Sequence, residues 1–387
     1  MSEVVIAGIG QIPVGEHWEL SLRSQAVKAM LAAKLDAGGL VPQALYIGNV
    51  LASTVSHQAN LGSLLADQAH FVGTEGTTVE AAGASGGAAL RLGYLAVLSG
   101  LVDVAMVVGV EKYTDQSPAE AEAALAQVMD SDFEAVHGMT PTGQAAILMR
   151  RYMQEYGVEH DCFAGFPLVA HSNAAGNPNA MFRKAINHAA YERAEMVSDP
   201  ISLFDAAPYA DGAAALVLTR SEIAPRGLDH PLVRITGSSV VTDTLALHDR
   251  PDPLAFNAAG FSVERACSQA GILPKDADLF ELYDAYSIYA ALSLEAAGFA
   301  RRGQGWRLAE SGQVSLRGEI PIATMGGLKA RGNPVGASGV YQVVDACTQL
   351  RGEAGPNQIE DASRALVQSL GGPASTAVAH VLEKWGT

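Results

Sequence analysis

The tetrad Gly-Ala-Ser-Gly occurs twice, at Gly83–Gly86 and Gly336–Gly339, and each copy opens a long stretch rich in Ala, Leu and Val. Two glycines per tetrad mean little alone, but a duplicated fold also repeats its surroundings, and here they repeat. In the first half an apolar run from Leu45 to Leu51 precedes the tetrad. A helical stretch then covers Gly86–Leu98, and strand-like runs follow at Val104–Gly109 and Ala213–Leu218. In the second half the order is Leu279–Tyr283, the tetrad, a helical stretch over Val340–Leu350, and strand-like runs at Ala365–Leu370 and Ala377–Leu382. Short apolar runs bounded by Gly and Asp suit strands covered on both faces. The spacing predicts an α/β chain of two halves with equivalent sheets and helices.

At 387 residues the chain can bury a large core, and length alone allows one to three domains. A net charge of −16 without clustered Lys and Arg argues against non-specific nucleic-acid binding. Met1–Gly15 carries Glu3 and lacks a basic front, so it reads as a first strand and not as a signal peptide. The most apolar region, 81–110, is broken by Arg91 and Asp103, so no membrane span is expected. Three cysteines without paired spacing fit a reducing, cytoplasmic setting and suggest no metal site.

Further motifs fall in one order: Val108-Gly-Val-Glu-Lys112, Asp211-Gly-Ala-Ala-Ala215, Tyr283-Asp-Ala-Tyr286, Gly326-Gly-Leu-Lys-Ala-Arg-Gly-Asn-Pro334 and Gly371-Gly372. With them the chain resembles the thiolase superfamily nearly end to end, nearest the sterol-carrier-protein-type thiolases and their archaeal relatives. The resemblance implies a five-layer αβαβα fold and at least a homodimer. It implies no permanently bound cofactor, coenzyme A entering as part of a thioester substrate. Between Thr114 and Val197 the pattern shifts to polar helices and loops, beginning with a helix that starts at Ser117 and carries acid in its first turn. This segment resembles the loop domain that thiolases insert over CoA. The halves are placed at 1–228 and 229–387, with 115–197 as the insertion.

The family's chemistry uses a cysteine thiolate that takes up the acyl group, a histidine that activates it and a second Cys or His as acid and base. By motif, Gly83 stands at the nucleophile and Asn333 at the activating His. Gln368-Ser-Leu-Gly-Gly372 occupies the third position and offers only Gln368 and Ser369. Cys162, Cys267 and Cys347 read as core thiols, and Ser85 either as a substitute nucleophile or as a helix cap. What the resemblance leaves is a thioester cradle: the backbone at Gly83 beside a helix start, with Gly371 and Gly372 as further donors. Asn333 can donate a hydrogen bond but cannot act as a base.

Tyr283 replaces the His or Asn that related thiolases use to polarise the thioester oxygen. It either donates to an enolate oxygen, or shuttles a proton if its pKa is lowered, or only closes the space left by a missing imidazole. Tyr341 lies one helical turn past Ala337 and is the second catalytic candidate, with core packing as the alternative. Asp284 either orients a neighbour or bonds a loop. His137 and Met139 in the insertion and Arg183, beside Lys184, are candidates for holding CoA, with a plain surface histidine as the alternative at 137.

A thioester cradle without an acyl-accepting thiol suits enolate chemistry. The expectation is an aldol or retro-aldol carbon-carbon lyase acting on a β-hydroxyacyl-CoA, similar to thiolase-like aldolases that cut steroid side chains. The alternatives are a catalytically silent acyl-CoA-binding or scaffold subunit, and an acetyl-CoA acetyltransferase. The acidic charge and few phosphate contacts suggest a basic partner, and the resemblance implies a small zinc-ribbon and OB-fold protein.

Overall fold

The computed structural model describes residues 3–386. Nine strands form one mixed sheet: β1 (Val4–Gln11), β2 (Ala44–Gly48), β3 (Glu75–Val79), β4 (Val104–Glu111), β5 (Gly212–Arg220), β6 (Leu232–Thr242), β7 (Leu279–Glu281), β8 (Arg364–Gly371) and β9 (Thr376–Trp385). Their order is β3-β2-β4-β5-β1-β6-β9-β8-β7, so the second half repeats the first in reverse about the centre. The pairing senses repeat as well. β2 runs parallel to β4, which pairs antiparallel with β5, and β5 with β1. β7 likewise runs parallel to β8, which pairs antiparallel with β9, and β9 with β6. The halves join where Val5 and Ile6 pair with Arg234 and Val233.

All eight residues of β4 are buried, as a continuous apolar run between two helix layers requires. The helices Leu22–Asp36 and Leu61–Gln68 cover the outer face of the first half, and Asn257–Ala270 covers that of the second. Two central helices, Ser85–Leu98 and Ser338–Arg351, pack against strands of both halves and complete the αβαβα arrangement. Three large apolar clusters follow these layers, around Met30 and Met106, around Val340 and Leu216, and around Val263 and Val381. Between β4 and β5 lie the helices Pro118–Leu125, Pro141–Tyr156, Gly165–Ala174 and His188–Glu192 and a small ribbon. The first of these starts where Ser117 and Glu120 form a capping box. Among the described residues no helix is long and apolar enough to cross a membrane.

The repeated tetrad has a steric cause. The central helices meet through their first turns, and the last glycine of each tetrad lies at the contact. A Cβ on Gly339 would stand 2.4 Å from Gly87 N, and one on Gly86 would stand 2.8 Å from Val340 N. Backbone on both sides cannot retreat as a flexible side chain could. In an ordinary helix, Ala in place of Gly stabilises by about 1 kcal/mol. Here the clash reverses the sign: Gly339→Ala is expected to destabilise the fold by about 3 kcal/mol. Chemical denaturation checks this, and an unchanged or higher midpoint contradicts the crossing.

Candidate active site

Gly83 lies in a short 3-10 turn, Ala82–Ala84, directly before the first central helix. Ser85 closes this turn on itself: its Oγ accepts from Ala81 N at 2.9 Å and donates to the Ala82 carbonyl at 2.6 Å. It is fully buried and serves as a local cap, so the substitute-nucleophile reading is not supported. A Cβ built on Gly83 would stand 2.3 Å from the Tyr283 hydroxyl, 2.7 Å from Tyr283 Cζ and 2.6 Å from the Leu370 carbonyl oxygen. The phenol thus fills the space into which a side chain at position 83 would project. No void is left there.

Burial, first, and the neighbouring Asp284 charge, second, push the Tyr283 pKa well above its ordinary value, while a hydrogen bond from the Asn333 side chain pulls the other way. The phenol therefore stays protonated near neutral pH. It can donate a hydrogen bond, but the proton shuttle that a lowered pKa would allow is not available to it. Asn333 is held from several sides. Its Oδ1 accepts from Val335 N at 3.1 Å and Ser338 Oγ at 3.2 Å, its N–H donates to the Pro208 carbonyl at 3.0 Å, and its carbonyl accepts from Tyr113 Oη at 2.8 Å. Oδ1 being occupied, the amide N–H group is the part that faces Tyr283.

The buried Glu111 carboxylate ties this region together. It accepts from Asn49 Nδ2, from the backbone N–H groups of Val50 and Leu51, and from Gly336 N of the second tetrad. Burial still pushes its pKa up to about 7. Gly371 lies against the same turn, since a Cβ on it would meet the Ala81 carbonyl at 2.7 Å, and Gly372 follows in the left-handed region at φ 54°. The structure therefore brings Gly83, Tyr283, Asn333 and the Leu370–Gly372 backbone together.

Other candidates lie elsewhere. Tyr341 has no exposed surface, and its hydroxyl is turned to the Ile12 and Ala213 carbonyls at 2.8 and 2.9 Å, with the Arg331 guanidinium stacked on its ring. It is a core residue, and the catalytic reading is corrected. Asp284 is buried and accepts from Leu328 N at 2.7 Å at the start of the Gly327–Arg331 turn of helix, so it bonds the loop leading to Asn333. Gln368 and Ser369 are spent on core hydrogen bonds to Ala259, Ser262 and Gln342. Burial raises all three thiols, Cys267 to about 11 and Cys347 to about 12, and keeps them protonated.

A cavity of about 860 Å³ opens next to Tyr286, lined mainly by the insertion and residues 203–209, with Tyr286 and Lys329 from the second half; Tyr283 and Asn333 lie behind this lining. Phe182, Ile186, Val197, Leu203 and Phe204 give it apolar walls, and Lys184, Arg193 and Lys329 give it cations. Lys329 is buried and donates to the Asp205 carbonyl, and desolvation lowers its pKa to about 8. Segment 206–209 forms part of the wall and reaches Asn333 through a bridge from Tyr209, while Ala206 bridges to Tyr286, three residues beyond Tyr283. Four polar groups among the lining residues form a chain. Tyr286 Oη lies 3.0 Å from Thr142 Oγ1, which donates to Glu122 Oε1 at 3.4 Å, and the Tyr209 hydroxyl donates to that same oxygen.

The sequence reading missed Glu122, Thr142 and Tyr209, because only the fold brings them to one cavity. The predicted CoA contacts fare unevenly. Arg183 is exposed between two lining residues, at the rim. His137 is exposed and outside the cavity, a surface histidine, and Met139 faces a separate hollow beside Arg150 and Arg151. Both are corrected as contacts of this cavity.

Two equivalent halves joined by a glycine crossing of central helices define a duplicated α/β class. The family description "Thiolase, N-terminal domain" matches residues 4–222, and "Thiolase C-terminal domain-like" matches residues 239–384. The chain belongs to the thiolase family. It is 38% identical over 386 residues to an acetyl-CoA acetyltransferase of Methanothermobacter thermautotrophicus, covering 99% of this chain and 100% of that one. It is 30% identical to the benzoylsuccinyl-CoA thiolase subunit BbsB of Thauera aromatica, covering 96% and 94% of the two chains. Among solved structures, the Ltp2-ChsH2(DUF35) aldolase superposes with a TM-score of 0.84 at 25% identity, covering 99% of this chain and 98% of that chain.

The packing of Tyr283 on Gly83 makes a testable pair. Gly83→Ala is expected to cost about 2–3 kcal/mol alone, and at least about 1 kcal/mol less in a Tyr283→Ala background, because the phenol is part of what a methyl group would strike. Unfolding free energies of the four proteins measure the coupling. Additive costs contradict the contact.

Proposed function

We propose that this chain binds a CoA thioester and cleaves the bond between its α and β carbons by a retro-aldol reaction that forms no acyl-enzyme. One observation carries the reading: the Tyr283 hydroxyl occupies the space that a side chain at residue 83 would need. An acyl group has no nucleophile to receive it there, whereas an enolate oxygen has a protonated phenol to accept from. The phenol sits beside the N-terminal end of a central helix, whose dipole favours developing negative charge. A pre-placed donor of this kind is worth roughly 3–4 kcal/mol, or about 100- to 1,000-fold in rate.

The cavity supports a substrate larger than an acetyl thioester. Its volume of about 860 Å³ and apolar walls suit a bulky acyl group, while Lys184 and Arg193, with Arg183 at the rim, suit the phosphates of CoA on a chain of net charge −16. The aldolase neighbour is named as a complex with a DUF35 protein, which supports a small partner of that kind here. The assembly we propose is a homodimer with such a partner, acting in the cytoplasm, where its three free cysteines would stay reduced.

Acyl transfer of the kind named for the Methanothermobacter relative is the second reading. Against it stand the glycine at residue 83 and three thiols held protonated by burial. A silent scaffold is the third. Tyr283→Phe separates them. Retro-aldol turnover of β-hydroxyacyl-CoAs, assayed with the small partner present, is expected to fall about 100-fold or more, with acyl-CoA affinity changed less than about twofold. Unchanged turnover contradicts the role given to Tyr283, absent turnover in the wild type favours the scaffold, and thiolysis of acetoacetyl-CoA favours acyl transfer.

A further inference from the structure

Among the described residues, Glu122 is the only carboxylate-bearing residue lining the cavity next to Tyr286. Its two oxygens are treated differently. Oε1 accepts from Tyr209 Oη and from Thr142 Oγ1 at 3.4 Å, while Oε2 is buried with no hydrogen-bond partner. Thr142 is fixed in turn by Tyr286 Oη at 3.0 Å. The four residues come from distant elements: the insertion helix Pro118–Leu125, the start of Pro141–Tyr156, the segment 206–209 that bridges to Asn333, and the cap of Ser287–Ala296. A buried carboxylate oxygen left unpaired is costly, and the cost disappears when a donor arrives. The cavity walls around it are mostly apolar, so the donor that fits is a hydroxyl on an otherwise apolar ligand.

We propose that Glu122 Oε2 receives the β-hydroxyl of the ligand and takes its proton, with Tyr209 holding the opposite oxygen and Thr142 and Tyr286 fixing the carboxylate's orientation. The inference rests on the reading that Tyr283 holds the thioester oxygen. The step balances. The substrate O–H proton passes to Oε2, the oxygen electrons form the new C=O at the β carbon, and the bond between the α and β carbons breaks. Its electron pair becomes the thioester enolate on the Tyr283 hydroxyl, and the proton on Glu122 returns to the α carbon, directly or through water. The products are an aldehyde or ketone and a shortened acyl-CoA, with no oxidant or reductant required. Burial raises the Glu122 pKa, as suits a base working near neutral pH. The other charged or titratable groups lining the same cavity are Lys184, Arg193, Lys329, His171 and the phenols of Tyr209 and Tyr286. Burial holds the His171 pKa down.

The test uses the full-length protein with its partner and two uncleavable ligands: a β-hydroxyacyl-CoA analogue whose thioester carbonyl is replaced by methylene, and its counterpart lacking the hydroxyl. Calorimetry on the wild type is expected to show about tenfold tighter binding of the hydroxylated analogue, the worth of a hydrogen bond to a charged group. Glu122→Gln should reduce that preference to less than about threefold. In turnover it should lower kcat about 100-fold or more and abolish the acidic limb of the pH profile. If Glu122→Gln does not fold, Tyr209→Phe takes its place, with the preference reduced and the acidic limb displaced. A wild type that ignores the hydroxyl, or a Glu122→Gln protein that keeps the preference, overturns the proposal. A wild type that shows the preference and loses it in Glu122→Gln, yet cleaves nothing, upholds the hydroxyl subsite and overturns only the lyase reading.

Discussion

Two buried helices can touch backbone to backbone only where neither carries a side chain, and the rest of this structure follows from that contact. Gly86 and Gly339 let the first turns of the central helices cross. The crossing gathers the loops that enter those helices, one from each half of the chain. Residue 83 arrives on one loop and Asn333 on the other, although 250 positions separate them. Glu111 locks the arrangement by accepting from Gly336 N and from the loop after β2.

At that meeting point the Tyr283 hydroxyl fills the space that a side chain at position 83 would need. The pair offers a hydrogen-bond donor and no nucleophile. Burial keeps the donor in place, because a phenol in this surrounding holds its proton. Any base must therefore come from another element, and among the described residues the insertion supplies the one carboxylate that lines the adjoining cavity.

The sequence exposed those parts of the fold that are governed by local constraint. Glycine pairs forced by a backbone crossing survive as a repeated tetrad, and strands buried on both faces survive as apolar runs, so the duplication could be read directly, whereas the missing cysteine showed only through the family resemblance. The Ser117 helix start was equally legible, because a capping box is written in four consecutive residues. Tyr341 was not. Spacing from Ala337 chooses a face of its helix, but that helix is buried on nearly every side, and its hydroxyl is claimed by carbonyls at Ile12 and Ala213. Glu122 was hidden for the opposite reason. Glu120 is the first-turn acid that caps Ser117, and only the fold shows that Glu122, two residues on, meets Tyr209. His137 and Met139 were candidates by their place in the insertion, and the path of a loop leaves both outside the cavity.

The proposed reaction, in which Tyr283 holds an enolate and no side chain takes up an acyl group, has one consequence that needs no variant to examine: the chain's covalent structure stays unchanged throughout turnover. Intact-mass spectrometry of the 40.2 kDa chain, quenched with acid while it turns over a CoA thioester, tests this directly. The mass is expected to equal that of the resting protein at every time point. An acyl-sized increment that appears and decays with turnover would contradict the account.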